Sequence, residues 1–146
     1  MTNSWICVDA NLVLKLVLQE ADSYRANALW HVWLERGYRP VAPYLFPIEI
    51  TAVLRKHVYR GTISASYGQD ALDSAFALNV TLLTFSNLSQ RAWQLAEMFN
   101  RPTAYDAHYL ALAELLNCDF WTADQRLFNA AAPTLPWVHL LGEVPD

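Results

Sequence analysis

The sequence predicts an α/β fold in which helices cover both faces of a parallel sheet. Short apolar runs that look like strands alternate with longer stretches of helical periodicity along the 146 residues. This alternation is typical of parallel sheets, because consecutive parallel strands are usually joined by a helical crossover. The sequence contains no internal repeat, low-complexity segment or linker. We therefore expect residues 1–146 to form one domain.

Five short runs predict the strands of this sheet. The first, at residues 5–8, is almost continuously apolar, as expected of a strand that is buried on both faces. The run at residues 120–122 is short and consists of aromatic and β-branched residues, which favour strands. The other predicted strands lie at residues 39–42, 80–84 and 137–140.

Seven stretches between the predicted strands have helical character. Gly37 ends the second of them, since glycine readily takes the left-handed conformation that closes a helix. Ser64 or Ser66 caps the fourth, and Ser86 or Ser89 opens the fifth. The predicted helices lie at residues 11–18, 22–36, 43–59, 64–78, 86–99, 105–116 and 125–131.

Composition excludes several kinds of protein. No Cys/His cluster has zinc-binding spacing, and with four glycines there is no phosphate-cradling loop. Charged residues interrupt the apolar N-terminal stretch, so no membrane span is expected, and no basic start resembles a signal peptide. Cys7 and Cys118 stand alone in apolar runs, which predicts buried free thiols and a cytoplasmic location.

Four acidic residues stand out as candidates for a functional site. Asp9 and Asp124 follow predicted strands, and ligands of parallel sheets bind beyond the carboxyl ends of strands. Glu49 and Asp106 lie instead in the first turns of predicted helices. If the chain brings these four together, they form an acidic pocket at one edge of the sheet.

Each carboxylate also has a purely structural interpretation. Asp9 and Asp124 are placed to cap the helices that follow them. Asp106 stands three residues after Thr103, in the spacing of a capping box. Glu49 is harder to explain structurally, because apolar residues surround it on its helix and Lys56, seven residues on, is too far for a direct pair.

Convergence of the four side chains would require either that some of them are protonated or that a cation lies among them. Two carboxylates about 5 Å apart repel by roughly 3 kcal/mol at an effective dielectric near 20. Oxygen-only ligation suits Mg²⁺ or Mn²⁺ better than zinc. Such a pocket on an α/β scaffold is suited to metal-assisted hydrolysis of phosphodiester bonds.

Four segments together resemble the PIN-domain family, and most closely its VapC-type toxins. They read VDAN, PIEITAVLRK, YDAHYLALAE and WTADQRL, and the resemblance runs over about residues 5–140. The resemblance implies a Rossmann-like three-layer α/β/α sandwich with a central parallel sheet of four to five strands. It also implies an endoribonuclease that depends on Mg²⁺ or Mn²⁺ and leaves 5′-phosphate and 3′-hydroxyl ends.

The same resemblance assigns roles to particular residues and implies partners. Asp9, Glu49 and Asp106 match the three core acidic positions, and Asp124 matches the fourth. Thr122 occupies a frequent Ser/Thr site, whereas Asn11 stands where the family often has Ser or Thr. The family further implies a homodimer and a small cognate antitoxin protein.

An RNA substrate must be attracted by a chain of net charge −4. The candidate phosphate contacts are basic residues on or near the predicted site, namely Arg55, Lys56, Arg60, Arg126 and Lys15. The alternative for each is that it is an ordinary charged residue at a solvated helix end. Two rival functions remain open. One is a PIN-fold binding or scaffold module with little or no nuclease activity. The other is a phosphatase, which commonly has a second Asp at the position of Asn11.

Overall fold

Five parallel strands form the centre of the molecule in the computed structural model, which describes residues 3–143. Their order across the sheet is β3-β2-β1-β4-β5. The strands are β1 (Trp5–Val8), β2 (Arg39–Ala42), β3 (Thr81–Leu82), β4 (Asp119–Thr122) and β5 (Val138–Leu140). This confirms the predicted parallel sheet.

Helices join every pair of consecutive strands. They are α1 (Ala10–Val17), α2 (Ser23–Glu35), α3 (Leu45–Tyr59), α4 (Ala65–Ala77), α5 (Leu88–Met98), α6 (Tyr105–Leu116) and α7 (Gln125–Ala131). From β1 to β3 the chain steps one way along the sheet, and from β3 to β5 it crosses back. Because such crossovers are right-handed, the two sets of helices lie on opposite faces.

The packing of the helices agrees with these three layers. On one face α1 contacts α2, α3 and α4, and on the other α5 packs along α6. Cys7 and Val8 are neighbours in β1 and therefore point to opposite faces, yet both are completely buried. The central strand thus has a hydrophobic layer on each side, as its apolar sequence predicts.

Three predicted details of the elements were wrong. β3 has two residues, Thr81 and Leu82, instead of five, and it lies at the edge of the sheet, where only one neighbouring strand is present to pair with it. Asn87 precedes α5 in place of a serine cap. Ala104 precedes α6, with no side-chain cap, so Thr103 does not form the predicted capping box with Asp106. Within residues 3–143 no helix is long and apolar enough to cross a membrane.

Helices α3 and α4 approach closely at Gly68, at the end of the first turn of α4. A Cβ atom at this position would lie 2.5 Å from Cγ2 of Val58 in α3. A methyl carbon on a β-branched side chain has little freedom to move away. The close approach of the two helices therefore depends on the missing side chain.

We expect Gly68→Ala to lower the free energy of unfolding by about 1–3 kcal/mol, because overpacking outweighs the gain in helix propensity. Val58→Ala in the same chain should relieve the clash, so the double variant should lose less stability than the two single variants summed. Urea unfolding followed by circular dichroism measures all three. Additive losses would show that the helices are not in contact here.

Candidate active site

The candidate site lies at the carboxyl edge of the sheet, between β1 and β4. The strand order reverses direction at this pair of strands, which is where doubly wound sheets bind ligands. Asp9 follows β1 directly, and its backbone N–H donates to the carbonyl of Trp121 in β4 at 3.4 Å. Thr122 ends β4 beside it.

Asp9 is the most buried of the four carboxylates, with 5% of its surface exposed. Its Oδ1 accepts from the backbone N–H of Leu12 at 2.9 Å, which caps α1. Its Oδ2 accepts a short hydrogen bond from the hydroxyl of Thr122. The predicted capping role is therefore real, but it occupies one oxygen and leaves the other facing the end of β4.

Thr122 holds the second strand end in place. Its hydroxyl oxygen also accepts from the backbone N–H of Asp124 at 2.9 Å, so one buried side chain links both aspartates. Oδ1 of Asp124 accepts from the backbone N–H groups of Arg126 at 2.9 Å and Leu127 at 3.2 Å, which caps α7. The predicted cap is again confirmed, and again it is made through a single oxygen.

Glu49 lies one turn into α3 and faces Tyr109 of α6. Burial raises the pKa of Glu49, while the nearby Tyr109 hydroxyl lowers it by a smaller amount. Nevertheless Oε1 of Glu49 and the hydroxyl of Tyr109 are both buried without a hydrogen bond of normal geometry to a described residue. Buried polar groups without a partner are rare, so these two atoms are candidates for contact with a further polar ligand.

Asp106 lies in the first turn of α6, and its charge acts on two of the other candidate carboxylates. Its charge raises the pKa of both Asp9 and Glu49, and the charge of Asp124 also raises that of Asp9. Asp106 is therefore near enough to act on Asp9 and Glu49, and Asp124 is near enough to act on Asp9. Asp106 itself is paired with Arg101, whose Nη2 lies 3.2 Å from Oδ2.

Burial is the main reason that Asp9 resists ionisation. It raises the pKa of Asp9 from 3.8 to about 7, against the hydrogen bonds from Thr122 and Leu12, which lower it. The charges of Asp106 and Asp124 add to the increase. A bound cation would oppose both effects.

The donor set fits Mg²⁺ or Mn²⁺, because it consists of carboxylate oxygens and includes a buried oxygen of Glu49 without a partner. As they stand, no three acidic, histidine or cysteine side chains within residues 3–143 are close enough to share one ion. Asp106 points to Arg101 instead of joining such a set. Binding of an ion would therefore require side-chain movement at the site.

The candidate phosphate-binding residues are spread around the site. On α3, Lys56 and Arg60 lie within about 20° of Glu49 around the helix, whereas Arg55 lies about 120° away. Arg55 lines a groove between α3 and α4. Arg126 is exposed at the start of α7, immediately beyond the Asp124 cap.

Lys15, another candidate phosphate contact, has acidic partners of its own. Its ammonium group is held between Glu20 at 2.5 Å and Asp22 at 3.0 Å, and these carboxylates neutralise it. Asn11 is exposed in the first turn of α1, two residues from Asp9. The structure leaves its predicted supporting role a hypothesis.

Sequence patterns did not reveal the contacts made by Arg101 and Tyr109. Tyr109 follows Asp106 by three residues on one face of α6, so its direction was predictable but its partner on α3 was not. Arg101 precedes α6 in a loop, where no periodicity fixes the direction of a side chain.

Fold and site together define a doubly wound α/β protein with acidic residues at its switch point. The PIN domain family matches residues 7–140. Among known proteins, the VapC ribonuclease Mb0985 of Mycobacterium bovis is 33% identical over 131 residues, which cover 90% of this chain and 94% of the relative. Ribonuclease VapC1 of Mycobacterium tuberculosis is 36% identical over 96 residues, covering 65% of this chain and 68% of the relative.

A solved structure has the same fold. A chain of a toxin-antitoxin complex from Klebsiella pneumoniae superposes with a TM-score of 0.63 at 16% identity, covering 91% of this chain and 94% of that chain. The chain belongs to the PIN-domain family.

The raised pKa of Asp9 predicts how stability depends on pH. Between 3.8 and about 7 the native state holds a proton that the unfolded chain has lost, so without metal the free energy of unfolding falls as pH rises. Asp9→Asn removes this contribution. In the presence of a metal chelator at pH 8, we expect the Tm of Asp9→Asn to exceed that of the wild type by several degrees. This difference in Tm should shrink towards pH 5.

Thermal unfolding between pH 5 and 8 measures this difference. Asp70→Asn, which removes an exposed carboxylate from α4, is the matched control and should follow the wild-type profile. A Tm of Asp9→Asn at or below the wild-type value at pH 8 would mean that Asp9 is not strained by its surroundings.

Proposed function

We propose that this protein is a metal-dependent endoribonuclease and the toxin of a toxin–antitoxin pair. The observation that carries this proposal is the crowding of acidic charge near the switch point of a PIN-family sheet. The charge of Asp106 acts on both Asp9 and Glu49, and the charge of Asp124 acts on Asp9. Two relatives of the chain are ribonucleases by name, and its structural neighbour is part of a toxin-antitoxin complex. Buried free thiols at Cys7 and Cys118 support a cytoplasmic location.

Asp9, Glu49 and Asp106 would hold a divalent cation, Mg²⁺ or Mn²⁺, with Asp124 beside them. When bound, such a cation supplies a Lewis acid for the phosphate and lowers the pKa of a water molecule. Thr122 fixes the direction of Asp9 through its hydroxyl. The Tyr109 hydroxyl is near Glu49, and it would fix the direction of the carboxylate by donating to one of its oxygens.

Basic side chains around the acidic centre would bind the RNA backbone. Lys56 and Arg60 share the Glu49 side of α3, and Arg126 stands beside Asp124. Arg55 extends this surface towards α4. The four site carboxylates account for the whole net charge of −4, so a bound cation makes the surface more attractive to phosphates.

A nuclease assay tests the proposed function. Single-stranded RNA labelled at its 5′ end should be cleaved in Mg²⁺ or Mn²⁺ and not in chelator. Asp9→Asn, Glu49→Gln and Asp106→Asn should each lose at least about a hundredfold in kcat/KM, because each removes a carboxylate from the cation site. The products should carry 5′-phosphate groups.

Asp70→Asn is the control for this assay, since it changes the net charge equally but lies on the exposed side of α4. Circular dichroism establishes that each variant is folded. Equal activity in the wild type and the site variants, or no activity in any of them, would favour the binding-module alternative over the nuclease.

We further propose that the protein forms a homodimer and binds a small antitoxin. Exposed apolar side chains on α3 support an interface there, and they include Tyr44, Ile48 and Tyr59. Ile48 is 65% exposed and lines a shallow hollow with Pro47 and Ala52.

Analytical ultracentrifugation should give the wild type twice its monomer mass. Ile48→Glu should sediment as a monomer, because it places a charge in the apolar contact. Leu34→Glu makes the same change at an exposed residue of α2 and should remain dimeric. A dimeric Ile48→Glu protein would exclude this face of α3, and a monomeric wild type would overturn the dimer.

A further inference from the structure

Arg101 makes an ion pair with one of the four site carboxylates. Its Nη2 donates to Oδ2 of Asp106 at 3.2 Å, and 20% of the Arg101 side chain and 34% of the Asp106 side chain are exposed. Among the ion pairs within residues 3–143, none other involves Asp9, Glu49, Asp106 or Asp124. One guanidinium therefore partly neutralises the acidic centre from within the chain.

The backbone at Arg101 is held by the turn that ends α5. Asn100 has a left-handed conformation, with φ of 50°, and its N–H donates to the carbonyl of Glu97 at 3.2 Å. The N–H of Arg101 donates to the carbonyl of Ala96 at 2.8 Å. These two bonds form a Schellman motif, which leaves the backbone little freedom. Only the side chain of Arg101 is free to turn towards or away from Asp106.

A structural role alone does not explain this pair. An ion pair with about a third of one side chain exposed contributes little to stability, because water screens the attraction and both side chains lose rotamer freedom. The effect of the same guanidinium on a divalent cation is larger, because the cation has two charges and would share the carboxylate that Arg101 holds. The position of Arg101 therefore matters more for ion binding than for folding.

We propose that Arg101 is an internal counter-ion that competes with the divalent cation for Asp106. In the metal-free protein the guanidinium holds this carboxylate away from Asp9 and Glu49, in agreement with the absence of a three-ligand set in residues 3–143. Ion binding breaks the Arg101–Asp106 contact and frees the guanidinium. The proposal rests on the proposed function, since it assumes that Asp106 is a ligand.

Metal affinity tests the competition directly. Mn²⁺ binding, measured by electron paramagnetic resonance of the free ion, should be about tenfold tighter in Arg101→Gln than in the wild type, because a positive charge and a competitor are both removed. Arg101→Lys keeps the charge near Asp106 and should stay within about threefold of the wild type.

Arg91→Gln is the matched control. Arg91 of α5 pairs with Glu114 of α6 at 2.5 Å, and 30% and 31% of these two side chains are exposed. This pair joins α5 to α6, whereas Arg101 reaches α6 from the loop after α5, and it involves none of the site carboxylates. Its removal should leave the affinity for Mn²⁺ unchanged while lowering stability.

Thermal unfolding gives a readout that does not depend on activity. Without metal, Arg101→Gln should unfold at a lower temperature than the wild type, because Asp106 then repels Asp9 and Glu49 without compensation. The rise in Tm on adding excess Mn²⁺ should be larger in Arg101→Gln than in the wild type, as tighter binding requires.

Two results would overturn the proposal. One is an Mn²⁺ affinity of folded Arg101→Gln equal to or weaker than that of the wild type. The other is an equal gain in affinity in Arg91→Gln, which would reflect net charge alone. Failure of the proposed function is distinguishable, because a wild type that binds no Mn²⁺ and cleaves no RNA refutes the nuclease itself.

Discussion

Crowding of like charges at one edge of a parallel sheet is the constraint around which this molecule is arranged. Asp9 is held in an almost fully buried position by hydrogen bonds to both of its oxygens, although burial and its acidic neighbours favour its neutral form. A fold does not gain stability from such a group, which is one reason to regard the edge as functional. The hydrophobic layers on both faces of the sheet provide the stability that this arrangement needs.

Structural and functional interpretations of the carboxylates are compatible here. Asp9 and Asp124 each cap a helix through Oδ1, so the same side chain both ends a loop and faces the site. Capping also fixes the direction of the carboxylate, because the backbone N–H groups at a helix start do not move independently. A site built from capping residues is therefore partly preorganised by the helices themselves.

Much of this was predictable from sequence because it rests on local rules. The parallel sheet follows from alternation of apolar runs and helical stretches, and the positions of Asp9 and Asp124 follow from where those runs end. The convergence of Glu49 and Asp106 was inferred from carboxylates in apolar surroundings together with the family resemblance, and it stays a prediction. The lengths and caps of individual elements were predicted less accurately. The two-residue β3 illustrates this, because strand pairing at the edge of a sheet depends on tertiary contacts.

The remaining features depend on contacts between distant segments or on loops. Whether the Arg101 guanidinium reaches Asp106 depends on a turn conformation and a rotamer, and neither has a periodic signature. The hydroxyl of Thr122 contacts Asp9 across 113 residues of chain. A growing polypeptide thus lacks the acidic centre until its last quarter has left the ribosome and β4 has docked on β1. Under the proposed nuclease function, the acidic centre would thus form late, after most of the chain has been synthesised.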